Sequence, residues 1–236
     1  MQNKQIIWLT LFSIAMGYME SAVVIYLREI YYPDGFHFPL APLDASIGLV
    51  EVFREAATII MLWGIATLSA KTTSLKFATF MFCFAIWDLF YYIFLWIFLS
   101  WPQSLLTWDI LFLIPVPWVG PVLTPCIISL TMILFALSIF RFQKMGLNTR
   151  LKTKEWALLI IGSLVTILSF IWDYLMYINQ NKSGITTETT SMLSDMKDYI
   201  PSEFNWPVFI IGESILLLGI ILFIKRLQKQ SSLNTH

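Results

Sequence analysis

Residues Phe77–Ser100 read FATFMFCFAIWDLFYYIFLWIFLS, twenty-four residues with one charge, Asp88. As a helix rising 1.5 Å per residue this run is about 36 Å long, enough to cross a hydrocarbon core of about 30 Å. Five more stretches follow the same pattern, giving predicted spans at about 6–27, 47–70, 77–100, 110–140, 156–178 and 206–224. The 236 residues are 58% hydrophobic and 13% charged, whereas a soluble domain is roughly 45–50% apolar and about 25% charged. The expected fold is therefore all-α: a polytopic integral membrane protein whose single transmembrane domain covers 1–236, with six helices in three hairpins.

Charge orients the bundle. Eleven Lys and Arg residues lie at Lys4, Lys71–Lys76, Arg141–Lys154 and Lys225–Lys229; the alternate connections carry only Arg28, Lys182 and Lys197. The positive-inside rule places the first group, and with it both termini, in the cytoplasm, so the hairpins open outward from a cell or cytoplasmic membrane. The apolar run after Lys4 continues through Glu20 to Tyr26 with no A-x-A-like site, which argues for a retained span over a signal peptide. Fifteen basic residues balance fifteen acidic ones, so composition offers no argument for a nucleic-acid partner. Cys83 and Cys126 form neither a CxxC pair nor a disulfide scaffold, and two histidines are too few for a bis-histidine haem or a His-rich zinc site. No cofactor is expected; the expected partners are membrane lipid, a small-molecule ligand and a protein subunit.

Two segments depart from regular spans. Ile114-Pro115-Val116-Pro117-Trp118-Val119-Gly120-Pro121, with Pro125 following, cannot be a regular helix, because each proline removes an amide donor and clashes with the preceding turn. The expectation is a proline-broken fourth span: a short helix or re-entrant piece over 103–113, then the span proper over 118–140. In the last outer loop, Met192, Leu193, Met196, Tyr199 and Ile200 recur at helical spacing, which predicts a short amphipathic helix, an interfacial anchor or a lid.

Ionisable residues inside the spans are the informative feature. Glu20, Glu51, Arg54, Glu55, Asp88, Asp173 and Glu213 lie within them, and Asp109 sits at the entrance of the fourth. A charge at the bilayer centre costs roughly 2.5–3.5 kcal/mol on insertion scales, so such groups need internal partners or water. None of the acids falls in the cytoplasmic half of its span. Each outward hairpin supplies acids from both limbs, and a packed bundle can bring them to one outward-facing pocket. Glu51, Arg54 and Glu55 share a helical face at i, i+3 and i+4, where Arg54 can pair with either carboxylate. The surplus acids can be protonated or can bind a cation, an amine or a guanidine; oxygen ligands without imidazole suit Mg²⁺ or Ca²⁺ better than zinc, and a metal is the lesser expectation.

An internal similarity adds aromatics. Ile86-Trp87-Asp88 and Ile171-Trp172-Asp173 are each followed by a tyrosine four positions after the aspartate, Tyr92 and Tyr177, and Trp-Pro recurs at Trp101-Pro102 and Trp206-Pro207. An i,i+4 Asp–Tyr pair lies on one face, where the phenol can donate to the carboxylate. Trp87 and Trp172 are candidates to stack on a planar or cationic ligand, with core packing as the alternative. The candidate substrate-binding set is Glu20, Glu51, Arg54, Glu55, Trp87, Asp88, Tyr92, Trp172, Asp173, Tyr177 and Glu213.

Three functions compete on these residues. The leading one is binding or transport of a small polar or cationic solute. Six helices, cytoplasmic termini and an outward pocket resemble the substrate-binding subunits of vitamin-uptake transporters, a resemblance of architecture that covers no motif and implies a coupling partner, since no GxxxxGK[ST] sequence is present. The second is an intramembrane acid/base enzyme acting on a lipid or isoprenoid. Trp172-Asp173 followed by Pro201-Ser202-Glu203 resembles the W-D then P-x-E-E pattern of membrane lycopene cyclases, with one glutamate where that family has two acids. The third is a non-catalytic accessory subunit whose buried charges fix helix register.

Overall fold

The computed structural model describes residues 3–41, 44–181 and 196–233. It contains α1 (Asn3–Tyr31), α2 (Ala45–Ser69), α3 (Thr73–Leu99), strands β1 (Trp108–Phe112) and β2 (Trp118–Pro121), then α4 (Leu123–Lys144), α5 (Thr153–Asn181) and α6 (Trp206–Leu233). Five of the six helices among the described residues, α1, α3, α4, α5 and α6, are long and apolar enough to cross a membrane. The sixth, α2, has Glu51, Arg54 and Glu55 in its first half, and it belongs to the same bundle. The chain is a multi-pass membrane protein.

Packing follows from the sequence of α3. It is apolar all round, and such a helix is stable only when surrounded; accordingly α1, α2 and α4 all pack on it. Thr72 caps its start by accepting from Leu75 N at 3.3 Å, and Ser100, in the left-handed region at φ 51°, ends it by donating its amide to Trp96 O. Small residues set the closest approach: a Cβ on Gly17 of α1 would stand 2.8 Å from Trp87 O and 3.2 Å from Tyr91 N. The pair α5–α6 is built the same way, since a Cβ at Gly162 would meet Leu216 at 2.8 Å and one at Gly212 would meet the Thr166 backbone nitrogen at 2.7 Å. Lipid gives no hydrophobic drive between helices, so close backbone approach at small residues carries the association. This second unit joins the first through α4 against α6 and β2 against α5.

The proline run is where expectation and structure part. Residues 103–113 contain no helix; Trp108–Phe112 is a strand, paired antiparallel with Trp118–Pro121, and Ile114-Pro115-Val116-Pro117 makes the turn between them. Prolines lack an amide donor and cannot continue a helix, but they tolerate a turn or a strand end, and the flanking Trp, Ile and Phe are strand formers. The helix after the break therefore starts at Leu123, not at 110 or 118, and it carries Pro125 in its first turn, where an amide has no intrahelical partner to lose. Hairpin pairing satisfies the backbone that the missing helix leaves behind. Val119 is 1% exposed, and Gly120 admits the Phe170 and Phe204 rings so closely that an added Cβ would stand 3.2 and 3.1 Å from them.

Of the amphipathic helix predicted between α5 and α6, Met192 and Leu193 lie outside the described residues. Met196 and Tyr199 are buried and Ile200 is exposed.

Candidate functional site

The first half of the chain builds a cavity of about 180 Å³ at the end of the bundle away from the termini. Helix α1 contributes Glu20 and Arg28, which are eight residues apart and so share a face. Glu51, Arg54, Glu55 and Thr58 come from α2, Trp87, Asp88, Tyr91 and Tyr92 from α3, and Asp109 to Leu113 from β1 and the turn. Met196, from the segment before α6, also reaches its wall.

Arg54 is the centre of one network. Its Nε and Nη2 donate to Glu51 Oε2 at 3.0 and 2.6 Å, and it is ion-paired with Glu20 as well, tying α2 to α1. Thr58 Oγ1 donates to the other oxygen of Glu20 at 3.2 Å. Glu55 has no arginine of its own; its carboxylate accepts from Leu113 N at 2.9–3.0 Å and holds the end of β1 against α2.

Arg28 is the centre of the other. Its Nη2 lies 3.3 Å from Asp109 Oδ1, and its guanidinium stacks 3.6 Å over the Trp101 ring and 4.4 Å over Phe36. Tyr92 donates to the second Asp109 oxygen at 3.2 Å. Burial pushes the Asp109 carboxyl up to about 6, against the pull of Arg28, the Ile110 amide and Tyr92. Asp88 is held differently, accepting from Ser129 Oγ of α4 at 2.8 Å.

Among the described residues, two buried donors in the cavity wall have neither a hydrogen-bond nor an ion-pair partner, Nη1 of Arg28 and Nε1 of Trp87. A buried donor left unmade costs about 1–3 kcal/mol, so both are poised for an acceptor.

Seven of the eleven residues singled out from sequence line this cavity: Glu20, Glu51, Arg54, Glu55, Trp87, Asp88 and Tyr92. The other four do not. Asp173 accepts from Tyr199 Oη at 2.6 Å and from Ser202 Oγ and N at 2.5 and 3.2 Å, fastening residues 199–202 to the second half of α5. Burial and that hydrogen bond push the Tyr199 phenol well above its ordinary value, so it remains a donor. Tyr177 packs its ring on Tyr199 at 5.2 Å, Trp172 is 37% exposed on the bundle surface, and Glu213 accepts from Thr131 between α6 and α4. The reason is the seam: α5 and α6 turn their acids toward α4 and the last loop, while the cavity is walled by α1, α2, α3 and the hairpin.

The repeated Ile-Trp-Asp segments consequently occupy unlike environments, and neither aspartate bonds the tyrosine four positions on. Tyr92 goes to Asp109, and Asp173 takes Tyr199. The Trp-Pro pairs differ too, Trp101 following the end of α3 and Trp206 opening α6.

Arg28 and Asp109 belong to the site although neither was in the set drawn from sequence. The available signals were the shared face of Glu20 and Arg28 and the place of Asp109 at the entrance of the fourth span, among the acids expected to converge; which neighbours Asp109 meets depends on the hairpin. No family model, curated protein or solved structure matches this chain, so the site is read from its own chemistry.

That chemistry is acidic. Five carboxyls and two guanidiniums surround one cavity, together with the aromatic faces of Trp87, Tyr91, Tyr92 and Phe112. Among the described residues no three acid, imidazole or thiol groups converge closely enough to hold a metal ion. The acids are spread around the wall, a pattern that suits an extended ligand better than a point ion.

Proposed function

We propose that this membrane protein binds a small organic cation, an amine or guanidine, in the carboxylate-lined cavity, and that with both termini cytoplasmic the cavity receives it from outside. One observation carries the reading: among the described residues Arg54 and Arg28 neutralise at most two of the five carboxyls, so Glu55, Asp88 and one member of the Glu20–Glu51 pair have no cation of their own there. A ligand ammonium would supply the missing charge where hydrocarbon walls make it most valuable. Aromatic faces add cation–π attraction, and the free donors of Arg28 and Trp87 suit an acceptor atom on the same ligand. Translocation would need a partner subunit or proton coupling, because no nucleotide-binding loop is present in the sequence.

The test is titration of the full-length protein in lipid nanodiscs with methylammonium, guanidinium and 1,4-diaminobutane, read by calorimetry. Asp88→Asn and Glu55→Gln should each weaken binding about tenfold, the loss of roughly 1.4 kcal/mol of charge pairing. Saturable binding that survives both substitutions would remove the cavity as the site. If none of the probes binds and a lipid-soluble molecule instead co-purifies in native mass spectrometry, the acid/base enzyme reading takes its place.

A further inference from the structure

At the opposite end of the bundle three lysines from three separate segments meet around one open cleft of about 860 Å³: Lys4 at the start of α1, Lys71 in the turn between α2 and α3, and Lys144 at the end of α4. All three are exposed, none takes part in an ion pair among the described residues, and no acid lines the cleft. Thr72, the N-cap of α3, forms part of the wall, so the positive end of that helix dipole adds to the lysines. The contrast with the other end is complete: five carboxyls line the cavity there, and here the lining charge is wholly positive.

Attraction of bases to the cytoplasm explains a scatter of lysines around a rim. It does not explain why residues 4, 71 and 144 are brought into one concave site with no counter-ion among the described residues. Exposed apolar side chains flank two of the three lysines along the chain. Trp8 is one helical turn from Lys4 and is 71% exposed, and Leu68, three residues before Lys71, is 85% exposed. A molecule with a phosphate at the lysines and hydrocarbon chains along these side chains would satisfy both surfaces.

We infer that the Lys4–Lys71–Lys144 cleft is a binding site for a phosphate group, that of an anionic membrane phospholipid with its acyl chains lying against the neighbouring Trp8 and Leu68. The lysines bind the phosphate as point charges, and the α3 terminus orients it. Anionic lipid bound there ties α1, the α2–α3 turn and α4 together and so stabilises the fold.

The experiment compares full-length protein in nanodiscs of phosphatidylcholine with and without phosphatidylglycerol, by native mass spectrometry and thermal unfolding, with inorganic phosphate added in a separate arm. Phosphatidylglycerol should bind and raise the unfolding temperature. The triple variant Lys4→Gln, Lys71→Gln, Lys144→Gln should lose on the order of a hundredfold in that affinity, from about 1 kcal/mol per lysine, while unfolding at the wild-type temperature in phosphatidylcholine alone. Replacement of the same three by arginine should keep the binding. Stabilisation by inorganic phosphate that also depends on the three lysines would support the phosphate site and assign it to a soluble ligand. Equal binding of phosphatidylglycerol to wild type and triple glutamine variant overturns the inference. Should the glutamine variant fail to fold in phosphatidylcholine, the arginine variant decides: loss of binding in that folded protein overturns it, and retained binding supports it.

Discussion

Replacing Arg54 with glutamine should destabilise the protein more than any other single change in the cavity wall. Glu51 accepts two hydrogen bonds from this guanidinium and Glu20 is paired with it, so the substitution strands two carboxylates whose side chains are 11% and 13% exposed. Breaking a buried ion pair by removing one partner costs about 3–5 kcal/mol. The Arg54 side chain is itself 20% exposed, which puts the expected loss near the lower end, about 3 kcal/mol. In a chain of this size each kcal/mol is worth about 2–4 °C, so the midpoint should fall by about 6–12 °C. The assay is tryptophan fluorescence during thermal unfolding in nanodiscs. The reasoning also predicts coupling: adding Glu51→Gln to Arg54→Gln should recover part of the loss, and the triple variant with Glu20→Gln should recover most of it. A midpoint lowered by under about 2 °C, or a double variant worse than the single by the full cost of another lost partner, would show that the three side chains do not act as a buried network.

Other consequences are independent of that network. Gly212→Val should disrupt the α5–α6 seam, because even a Cβ there would stand 2.7 Å from the Thr166 nitrogen; overpacking of this kind costs about 1–3 kcal/mol or more, read as loss of monodisperse protein on extraction. Asp109 is held up to about 6 by burial, so it is neutral below that pH and anionic above it. Binding of an organic cation should therefore strengthen as pH rises through about 6, and Asp109→Asn should flatten that part of the profile. Asp173→Ala removes the acceptor that fastens Tyr199 and Ser202; hydrogen exchange at residues 199–203 should accelerate while that of α3 stays unchanged. Faster exchange throughout the bundle would show that Asp173 holds more than this segment.

Much of the architecture is written along single helices. The number of helices, their approximate limits and the clustering of acids toward the hairpin ends of their spans are properties of one-dimensional apolar runs, which a bilayer forces into helices because no water is there to satisfy a backbone. Proline chemistry likewise marked 114–121 as non-helical. What replaced the helix depended on pairing between Trp108–Phe112 and Trp118–Pro121, a contact between two segments neither of which is decisive by itself. That pairing carried Asp109 into the cavity and directed Tyr92 toward it, away from the aspartate on its own helix.

The same distinction sorts the acids. A hydropathy pattern tells how deep Asp88, Asp173 and Glu213 lie but not which neighbour each face meets. Helix association among apolar surfaces is chosen by small residues, and here Gly17 brings α1 onto α3 while Gly162 and Gly212 bring α5 and α6 onto each other. Those two seams, with α2 packed on α3 and the hairpin beside them, leave Glu20, Glu51, Glu55, Asp88 and Asp109 around one cavity and take Asp173 and Glu213 elsewhere. Sequence alone thus determined that this chain is a membrane bundle with acids near one end; the tertiary structure decided which of them share a site, because helix packing and hairpin pairing, and not depth in the bilayer, set who faces whom.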